Sequence, residues 1–444
     1  MELRPYQQET VSELINFWLL NNLNAGLCVL PTASGKTVVF AEFIREALLI
    51  KPETKVLILG HTQEIVEQNA VKLITVWPEA KVGIYCAGLK RKEIKQVTSA
   101  SRDSIIAEIG EFPDWDIVIV DEAHLISPEL TTRYQFIIST IQLHGKNPFL
   151  LGFTATPFRT KTGNIYGDDD NQLFKKLIYQ KRIDELQSTG YLCPLRAVET
   201  DFKAVVDTSK VRRTKQDFVQ TELQAVTAIE SVVTDIVQDW LNKTNASLPT
   251  VFYASSVQQA EIFADVLNTF GFHFPLITAK TEKTLRKQWL NDFEVGEQNG
   301  LINVATLTTG WDAPRLSCIV MARPTLSPGL FLQILGRGLR LHKSKSETLL
   351  LDYGENIQRF GVIERIGPIM ESRFYHDEKS LIIVCPTCET IASVYQLECD
   401  ACTETLKHED DVSVCYECNS PNDRYAKYCE VCGEALEDNT DFYQ

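Results

Sequence analysis

Three short runs in this 444-residue chain combine residue types that handle phosphate: PTASGKT at Pro31–Thr37, VDEAH at Val120–His124 and TATPF at Thr154–Phe158. In the first, the backbone N–H groups of Thr32, Ala33, Ser34 and Gly35 open a helix and can surround phosphate oxygens. Lys36 would reach the β- and γ-phosphates of a nucleotide, and the Thr37 hydroxyl would bind Mg²⁺. The run departs from G-x-x-x-x-G-K-[ST], because Leu30 holds the first glycine position, and by itself an ordinary strand–helix turn would account for it. The second run narrows the choice. Asp121 and Glu122 follow an apolar strand, Asp116–Val120, at the edge where open α/β sheets collect ligands. Asp121 can orient Mg²⁺ and Glu122 can act as general base toward water. A helix cap would explain Asp121 but not an acidic pair downstream of G-K-T. The TATPF hydroxyls could sense the γ-phosphate, although a plain strand-end turn would also explain them.

The second half of the chain carries a complementary set. NVATLTTGWDAP, Asn303–Pro314, runs from a buried strand into a loop bearing Thr309, Gly310 and Asp312, the latter two candidate nucleotide contacts. QILGRGLR, Gln333–Arg340, places Arg337 and Arg340 three residues apart, on one face of an expected helix. Such arginines suit the role of fingers that stabilise charge on a transferred phosphoryl group, typically worth ~10³–10⁵ in rate. An ATP site completed by residues from two halves of a chain favours closure, and hydrolysis permits opening, which converts chemistry into movement along a polymer.

Eight of the twelve cysteines lie beyond residue 384. Cys385, Cys388, Cys399 and Cys402 recur thirty residues later as Cys415, Cys418, Cys429 and Cys432, so C-x₂-C-x₁₀-C-x₂-C occurs twice. Paired C-x₂-C knuckles bring four thiolates around Zn²⁺, and two structural zinc sites are expected, each closed to chemistry by its four sulfurs. Free or disulfide-bonded cysteines are the plain alternative, and the spacing does not match the usual iron–sulfur runs. Pairing within each repeat is the simplest arrangement. Cys28, Cys86, Cys193 and Cys318 sit among apolar residues and read as buried thiols.

Positioning these groups requires short buried strands alternating with helices. Leu27–Leu30, Val56–Leu59, Asp116–Val120 and Phe149–Phe153 read as strands, with helices over Thr37–Leu49 and Gln63–Val76. The pattern breaks over Asp201–Gln220. It resumes with strands at Val251–Ala254, Pro275–Thr278, Leu301–Ala305, Cys318–Met321 and Thr348–Leu351, and helices at Val257–Phe270 and Leu330–Leu341. Near-continuous apolar strands separated by helices imply doubly wound parallel sheets. The expected organisation is one α/β lobe over residues 1–195, a second over 196–360, a linker over 361–380 and tandem zinc ribbons over 381–444.

The formal net charge of −15 argues at first against a nucleic-acid partner, but it is concentrated in the tail. Residues 381–444 hold three Lys/Arg against fourteen Asp/Glu, which leaves the first 380 residues near neutrality. Two basic runs, Lys90, Arg91, Lys92 and Lys95 in the first lobe and Lys280, Lys283, Arg286 and Lys287 in the second, could hold one backbone at successive phosphates, or simply be solvated faces. The acidic ribbons are poor phosphate binders and suit a protein contact, either the lobes themselves or a basic partner. No run of apolar residues is long enough to span a bilayer and no signal peptide opens the chain, so a cytoplasmic protein without a membrane partner is expected.

The ordered set LRPYQQE, PTASGKT, HTQE, VDEAH, TATPF, TTGWDAP and QILGRGLR resembles the superfamily-two helicases of the DEAH type, over roughly residues 1–355. Within that group AGLKRKE, TATPFR, LTTGWDAP, GRGLR, LLLDYGEN and the block CYECNSPNDRYAKYCEVCGEAL are most similar to the RadD family of bacterial DNA-repair ATPases. The resemblance implies two RecA-like lobes, adenine recognition by Arg4 and Gln7, coupling of hydrolysis to movement through His124 and the TATP threonines, and finger roles for Arg337 and Arg340. It further implies an ATP-dependent DNA helicase or translocase in repair, recombination or replication, acting on single-stranded or branched DNA. Ala33 departs from a common glycine of the phosphate loop, and RadD proteins continue into a further C-terminal segment whose partner functions are not carried over. An RNA helicase or a restriction-complex motor shares every ATP motif. A non-catalytic zinc adaptor would not need Lys36, Asp121, Glu122, Arg337 and Arg340 intact.

Overall fold

The computed structural model describes residues 2–106, 108, 112–126, 133–143, 147–159, 163–167, 172–214, 217–307, 311–363, 382–393, 396, 398–406, 412–414 and 421–423. They fall into two units, Met1–Leu192 and Cys193–Gln444.

In the first unit the strands are β1 Ala25–Val29, β2 Val56–Gly60, β3 Val82–Cys86, β4 Arg91–Lys92, β5 Val97–Ser101, β6 Ile117–Asp121, β7 Phe149–Thr154 and β10 Lys176–Gln180, with a small hairpin of β8 Phe158–Arg159 and β9 Gly163–Asn164. They alternate with α1 Pro5–Leu20, α2 Lys36–Ile50, α3 Gln63–Val76, α4 Arg102–Ile105, α5 Arg133–Leu143 and α6 Ile183–Ser188. One eight-stranded sheet runs β10-β1-β7-β6-β2-β5-β3-β4, parallel except where β4 folds back on β3. Every residue of β2 and β6 is buried, as near-continuous apolar strands covered on both faces should be. β3 and β5 were not expected from the sequence. β5 hides because Thr98 and Ser99 are polar yet buried, their hydroxyls donating to the carbonyls of Lys95 (2.8 Å) and Val66 (2.9 Å).

The second unit orders β11 Leu195–Val198, β12 Thr250–Tyr253, β13 Leu276–Ile277, β14 Gly300–Asn303, β15 Cys318–Met321 and β16 Thr348–Asp352 into a six-stranded parallel sheet, β11-β16-β15-β12-β14-β13. Its helices are α7 Gln220–Thr227, α8 Glu230–Thr244, α9 Val257–Thr269, α10 Lys283–Val295, α11 Pro328–Gly338 and α12 Asn356–Phe360. Trp240 of α8 anchors the core, its ring 5.2 Å from Phe252, 5.4 Å from Phe272 and 5.9 Å from Phe274. Truncating so buried an aromatic to Ala removes about 3–5 kcal/mol. Both units are therefore doubly wound parallel sheets.

The break in periodicity before α7 has a physical cause. Residues there are held by side-chain bonds rather than by a repeating apolar face. Asp217 accepts from the Thr325 hydroxyl (2.9 Å) and the Leu326 N–H (2.8 Å), and Phe218 packs with Val211, Leu223 and Leu326.

Beyond the sheet lie two antiparallel pairs, β17 Ile382–Val384 with β18 Ile391–Ser393 and β19 Val412–Val414 with β20 Pro421–Asp423. The second pair repeats the first at the thirty-residue offset of the cysteines. The first pair is seated on the lobe rather than hanging from it. Thr390 bridges Val198 of the edge strand β11, the Glu199 N–H donates to the Glu389 carbonyl (3.0 Å), and Lys243 lies 3.5 Å from the Glu389 carboxylate. No described helix is long and apolar enough to cross a membrane.

Candidate nucleotide site and metal centre

Three consecutive strands in space, β1, β7 and β6, deliver the three phosphate-handling runs to one edge of the first sheet. From β1 the chain enters Pro31–Gly35 and then α2. Ala33 and Gly35 both take left-handed backbone conformations, with φ of 70° and 85°. At Gly35 a Cβ would lie 2.7 Å from Gln7 Nε2, so both conformation and space call for glycine. The loop is braced from α1: Gln7 Nε2 donates to the Ser34 carbonyl (3.0 Å), as does the Tyr6 hydroxyl (2.5 Å). Within the loop Ser34 Oγ donates to the Pro31 carbonyl (2.7 Å), and Lys36 Nζ lies 3.4 Å from the Leu30 carbonyl. Thr32, Ala33, Ser34, Gly35, Lys36 and Thr37 thus form one turn and the start of one helix.

Arg4 sits just before α1. Its backbone N–H donates to Gln7 Oε1 (3.0 Å), its guanidinium donates to the Tyr191 carbonyl (3.1 Å) and lies 5.2 Å from the centre of the Tyr191 ring. Tyr6 completes this edge, 5.3 Å from Tyr191 ring to ring. Tyr191 carries no local signal in the sequence, since 184 or more residues separate it from the others; only the chain's return past β10 brings it here.

Asp121 is the last residue of β6 and is buried; the strand runs one residue further than its apolar run suggests. Burial, then the neighbouring Glu122 carboxylate, push its pKa up to about 6, against the opposing influences of Lys36, the Glu122 N–H and the Asn69 amide. A carboxylate held in this condition fits a divalent cation, whose charge would offset the burial. Thr37 and Asp121 are the residues present to hold one. Glu122 adopts a left-handed conformation, φ 52°, and its carboxylate lies 3.4 Å from His124 Nδ1. That same nitrogen is 3.0 Å from the Thr154 hydroxyl, which accepts from the Thr156 N–H at 3.0 Å.

Two neighbours received no role in the sequence reading, although His61 opens the HTQE run. Asn69 is a buried amide on the inner face of α3, a polar residue at an apolar position, and that pattern could have flagged it. His61, directly after β2, is driven toward its neutral form by burial, an effect the Glu122 carboxylate partly opposes. Its Nδ1 has no hydrogen-bond partner among the described residues.

In the second unit the arginine arrangement needs a correction. α11 runs from Pro328, capped by Ser327, to Gly338, so Arg337 occupies its last turn and Arg340 lies beyond the helix rather than on one of its faces. The glycines Gly336 and Gly338 and the tight packing of Gly338, whose Cβ would lie 2.6 Å from Thr348, end the helix early. Both arginines nonetheless meet the GWDAP loop: Arg337 donates to the Trp311 carbonyl (2.5 Å), and Arg340 is ion-paired with Asp312. Gly310 and Thr309 lie outside the described residues.

The basic runs also resolve differently. Arg91 and Lys95 converge on one carboxylate, Glu93, at 3.0 and 3.5 Å, and Lys95 also donates to the Val82 carbonyl (3.2 Å), so acidic neighbours offset part of this run's charge. Lys92 pairs with Glu108. Lys280, Lys283 and Lys287 remain exposed at and just before α10, and Arg286 donates to the Thr306 carbonyl (3.1 Å).

Cys385, Cys388, Cys399 and Cys402 converge, all four sulfurs lying within 4.8 Å of one another. Cys385 and Cys402 are 3.5 Å apart and Cys388 and Cys399 3.6 Å. The sulfurs of a tetrahedral site with Zn–S of about 2.3 Å stand about 3.8 Å apart, so this cluster fits zinc. Cys415, Cys418, Cys429 and Cys432 lie outside the described residues. Cys28, Cys86, Cys193 and Cys318 are buried free thiols.

Residues 1–159 match the family model described as Type III restriction enzyme, res subunit, and residues 232–342 match the Helicase conserved C-terminal domain. One model falls in each of the two units, in chain order. A Saccharomyces cerevisiae protein named "Putative ATP-dependent helicase IRC3" is 27% identical over 79% of this chain, which spans 51% of that relative's length. The DNA 3'-5' translocase XPB2 of Sulfurisphaera tokodaii is 23% identical, over 79% of the chain and 81% of its own length. Among solved structures, the ATP-dependent Type ISP restriction-modification enzyme LlaBIII bound to DNA shares the fold at a TM-score of 0.59, with 16% identity over 79% of this chain and 28% of the other.

Proposed function

We propose that this helicase-type chain hydrolyses ATP and uses the energy to move along DNA. The observation that carries the reading is the delivery of Lys36, Asp121 with Glu122, and Thr154 to one sheet edge by three adjacent strands. Arg4, Gln7 and Tyr6 brace that edge, where the base is received. Lys36 binds the terminal phosphates, and Thr37 and Asp121 hold Mg²⁺, which supplies charge neutralisation to the phosphates. Glu122 accepts the proton of the attacking water, and His124 carries the state of that carboxylate to Thr154. Arg337 and Arg340, with Asp312 and Gly310 in the adjoining loop, act on the nucleotide from the second unit. Lys280, Lys283 and Lys287 are exposed cations of that unit that can meet backbone phosphates. Both cysteine sets bind structural zinc, the second supported by the hairpin that repeats at the same offset.

DNA rather than RNA is favoured by the restriction-enzyme family model over residues 1–159 and by the translocase among the relatives. The closer resemblance to RadD points to DNA repair as the setting. ATP turnover measured with single-stranded DNA, duplex DNA and RNA tests the reading: DNA should stimulate, RNA should not, and Lys36→Ala should be inactive. Turnover surviving in Lys36→Ala would move the site elsewhere, and stimulation by RNA alone would favour the RNA-helicase alternative.

A further inference from the structure

Lys345 is a half-buried lysine in the loop between α11 and β16 that none of the nucleotide-handling motifs includes. Its ammonium has three N–H groups and meets three acceptors: the Leu316 carbonyl (2.5 Å), the Gly338 carbonyl (2.9 Å) and the Thr348 hydroxyl oxygen (3.1 Å). The Thr348 hydroxyl, fully buried, donates in turn to Gly338 (2.7 Å). Gly338 is the last residue of α11, between Arg337 and Arg340; Leu316 ends the turn that follows GWDAP. Lys345 therefore joins the two segments that carry Arg337, Arg340 and Asp312, in addition to the arginines' own links to Trp311 and Asp312. A cation satisfying the final carbonyl of a helix is favoured by the helix dipole. Here it stands at the point where the helix must stop for Arg340 to turn toward Asp312.

The surroundings make this an expensive arrangement to keep for packing alone. Among the described residues no carboxylate pairs with the ammonium; Glu294 is an acidic group facing it, Arg340 repels it, and the buried Cys193 thiol lies on the β11 side. Burial lowers its pKa to about 8, so a lysine held only by neutral acceptors is retained where Met would fill a similar volume.

We propose that Lys345 is the positioning residue for Arg337 and Arg340, fixing the distance between the end of α11 and the GWDAP loop so that both guanidiniums present together. The proposal rests on the reading that these arginines act on the nucleotide. Displacement of a catalytic group by 1 Å can lower turnover about 100-fold without abolishing binding.

The test uses the full-length, zinc-loaded chain. Lys345→Met should lower DNA-stimulated kcat by about 10- to 100-fold while KM for ATP changes less than about 3-fold. Adding Arg340→Ala to Lys345→Met should cost little more than either change alone, because both act through one unit. Thr348→Val, which keeps the lysine but removes one of its acceptors, should shift kcat in the same direction with a smaller loss and remain interpretable if Lys345→Met fails to fold. A kcat within about 2-fold of wild type in both variants, or losses from Lys345→Met and Arg340→Ala that multiply, overturns the proposal. If Lys36→Ala retains turnover, the nucleotide reading itself fails, and that outcome is separate.

Discussion

His124 Nδ1 stands 3.0 Å from the Thr154 hydroxyl and 3.4 Å from the Glu122 carboxylate, so one imidazole nitrogen faces both the carboxylate on β6's end and the hydroxyl on β7's end. A change in the charge or hydrogen bonding of Glu122 therefore reaches Thr154 through a single side chain. Thr154 in turn holds the Thr156 N–H and with it the start of the chain that leaves β7. The contact links the end of β6 to the segment that leaves β7.

Thr154→Val keeps the volume and removes the hydroxyl. Basal ATP turnover should fall less than about 10-fold, while stimulation by single-stranded DNA should largely disappear. Turnover rates with and without DNA read the two effects separately. Undiminished stimulation in this variant would remove His124–Thr154 as the coupling contact.

Asp121 predicts a pH dependence of stability. Its pKa in the folded chain, about 6, lies above the value of 3.8 for a free aspartate, so the folded state holds the proton more tightly. Stability from this group is present below pH 4 and is lost as pH rises through 6. Asp121→Asn should therefore abolish ATP turnover yet raise Tm at pH 7.5, by about 2–4 °C or more, with the gain shrinking as pH falls toward 5. Scanning calorimetry in EDTA at several pH values measures it. Added Mg²⁺ with nucleotide should raise the wild-type Tm and leave the variant unmoved.

Gly35→Ala should weaken the phosphate loop by two routes. The left-handed φ of 85° costs an alanine about 1–2 kcal/mol, and the new methyl displaces Gln7 from the Ser34 carbonyl. Thermal unfolding should register the first effect, and a loss of nucleotide affinity by fluorescence titration the second. Ser34→Ala, which leaves that carbonyl in place, should show a much smaller affinity change.

Removal of zinc should be felt in the second unit. Glu389 of the first knuckle contacts Glu199 and Lys243, and Thr390 bridges Val198, so unfolding the first ribbon uncovers the edge of β11. A strong chelator should speed hydrogen exchange at Glu199 and promote aggregation, while amides of β1 and β6 stay protected. Metal analysis should find two zinc per chain, falling to one in Cys388→Ser.

Much of the site was legible because its signals are local. Lys36 follows Gly35 at the start of a helix, Asp121 and Glu122 end an apolar run, and Cys385 and Cys388 flank one knuckle. Each depends on a few consecutive residues and the backbone they must adopt. The extent of α11 was not legible: its apolar periodicity continues to Leu341, but packing of Gly338 against Thr348 stops the helix first. The basic run Lys90–Lys95 looked like a free patch in sequence, but the fold pairs Arg91 and Lys95 with Glu93 and Lys92 with Glu108.

The order of residue types along the chain thus determined the chemistry available: a phosphate loop, an acidic pair, two arginines and two sets of four thiols. Tertiary structure decided which of these meet. Sheet order set β7 between β1 and β6, burial raised the pKa of Asp121, and the return of the chain brought Tyr191 to Arg4. Docking on β11 made the first ribbon part of the second unit. Periodicity and spacing report a chain's neighbours a few residues away, whereas proximity across hundreds of residues depends on which buried strands pair, and many apolar strands are interchangeable until they pack.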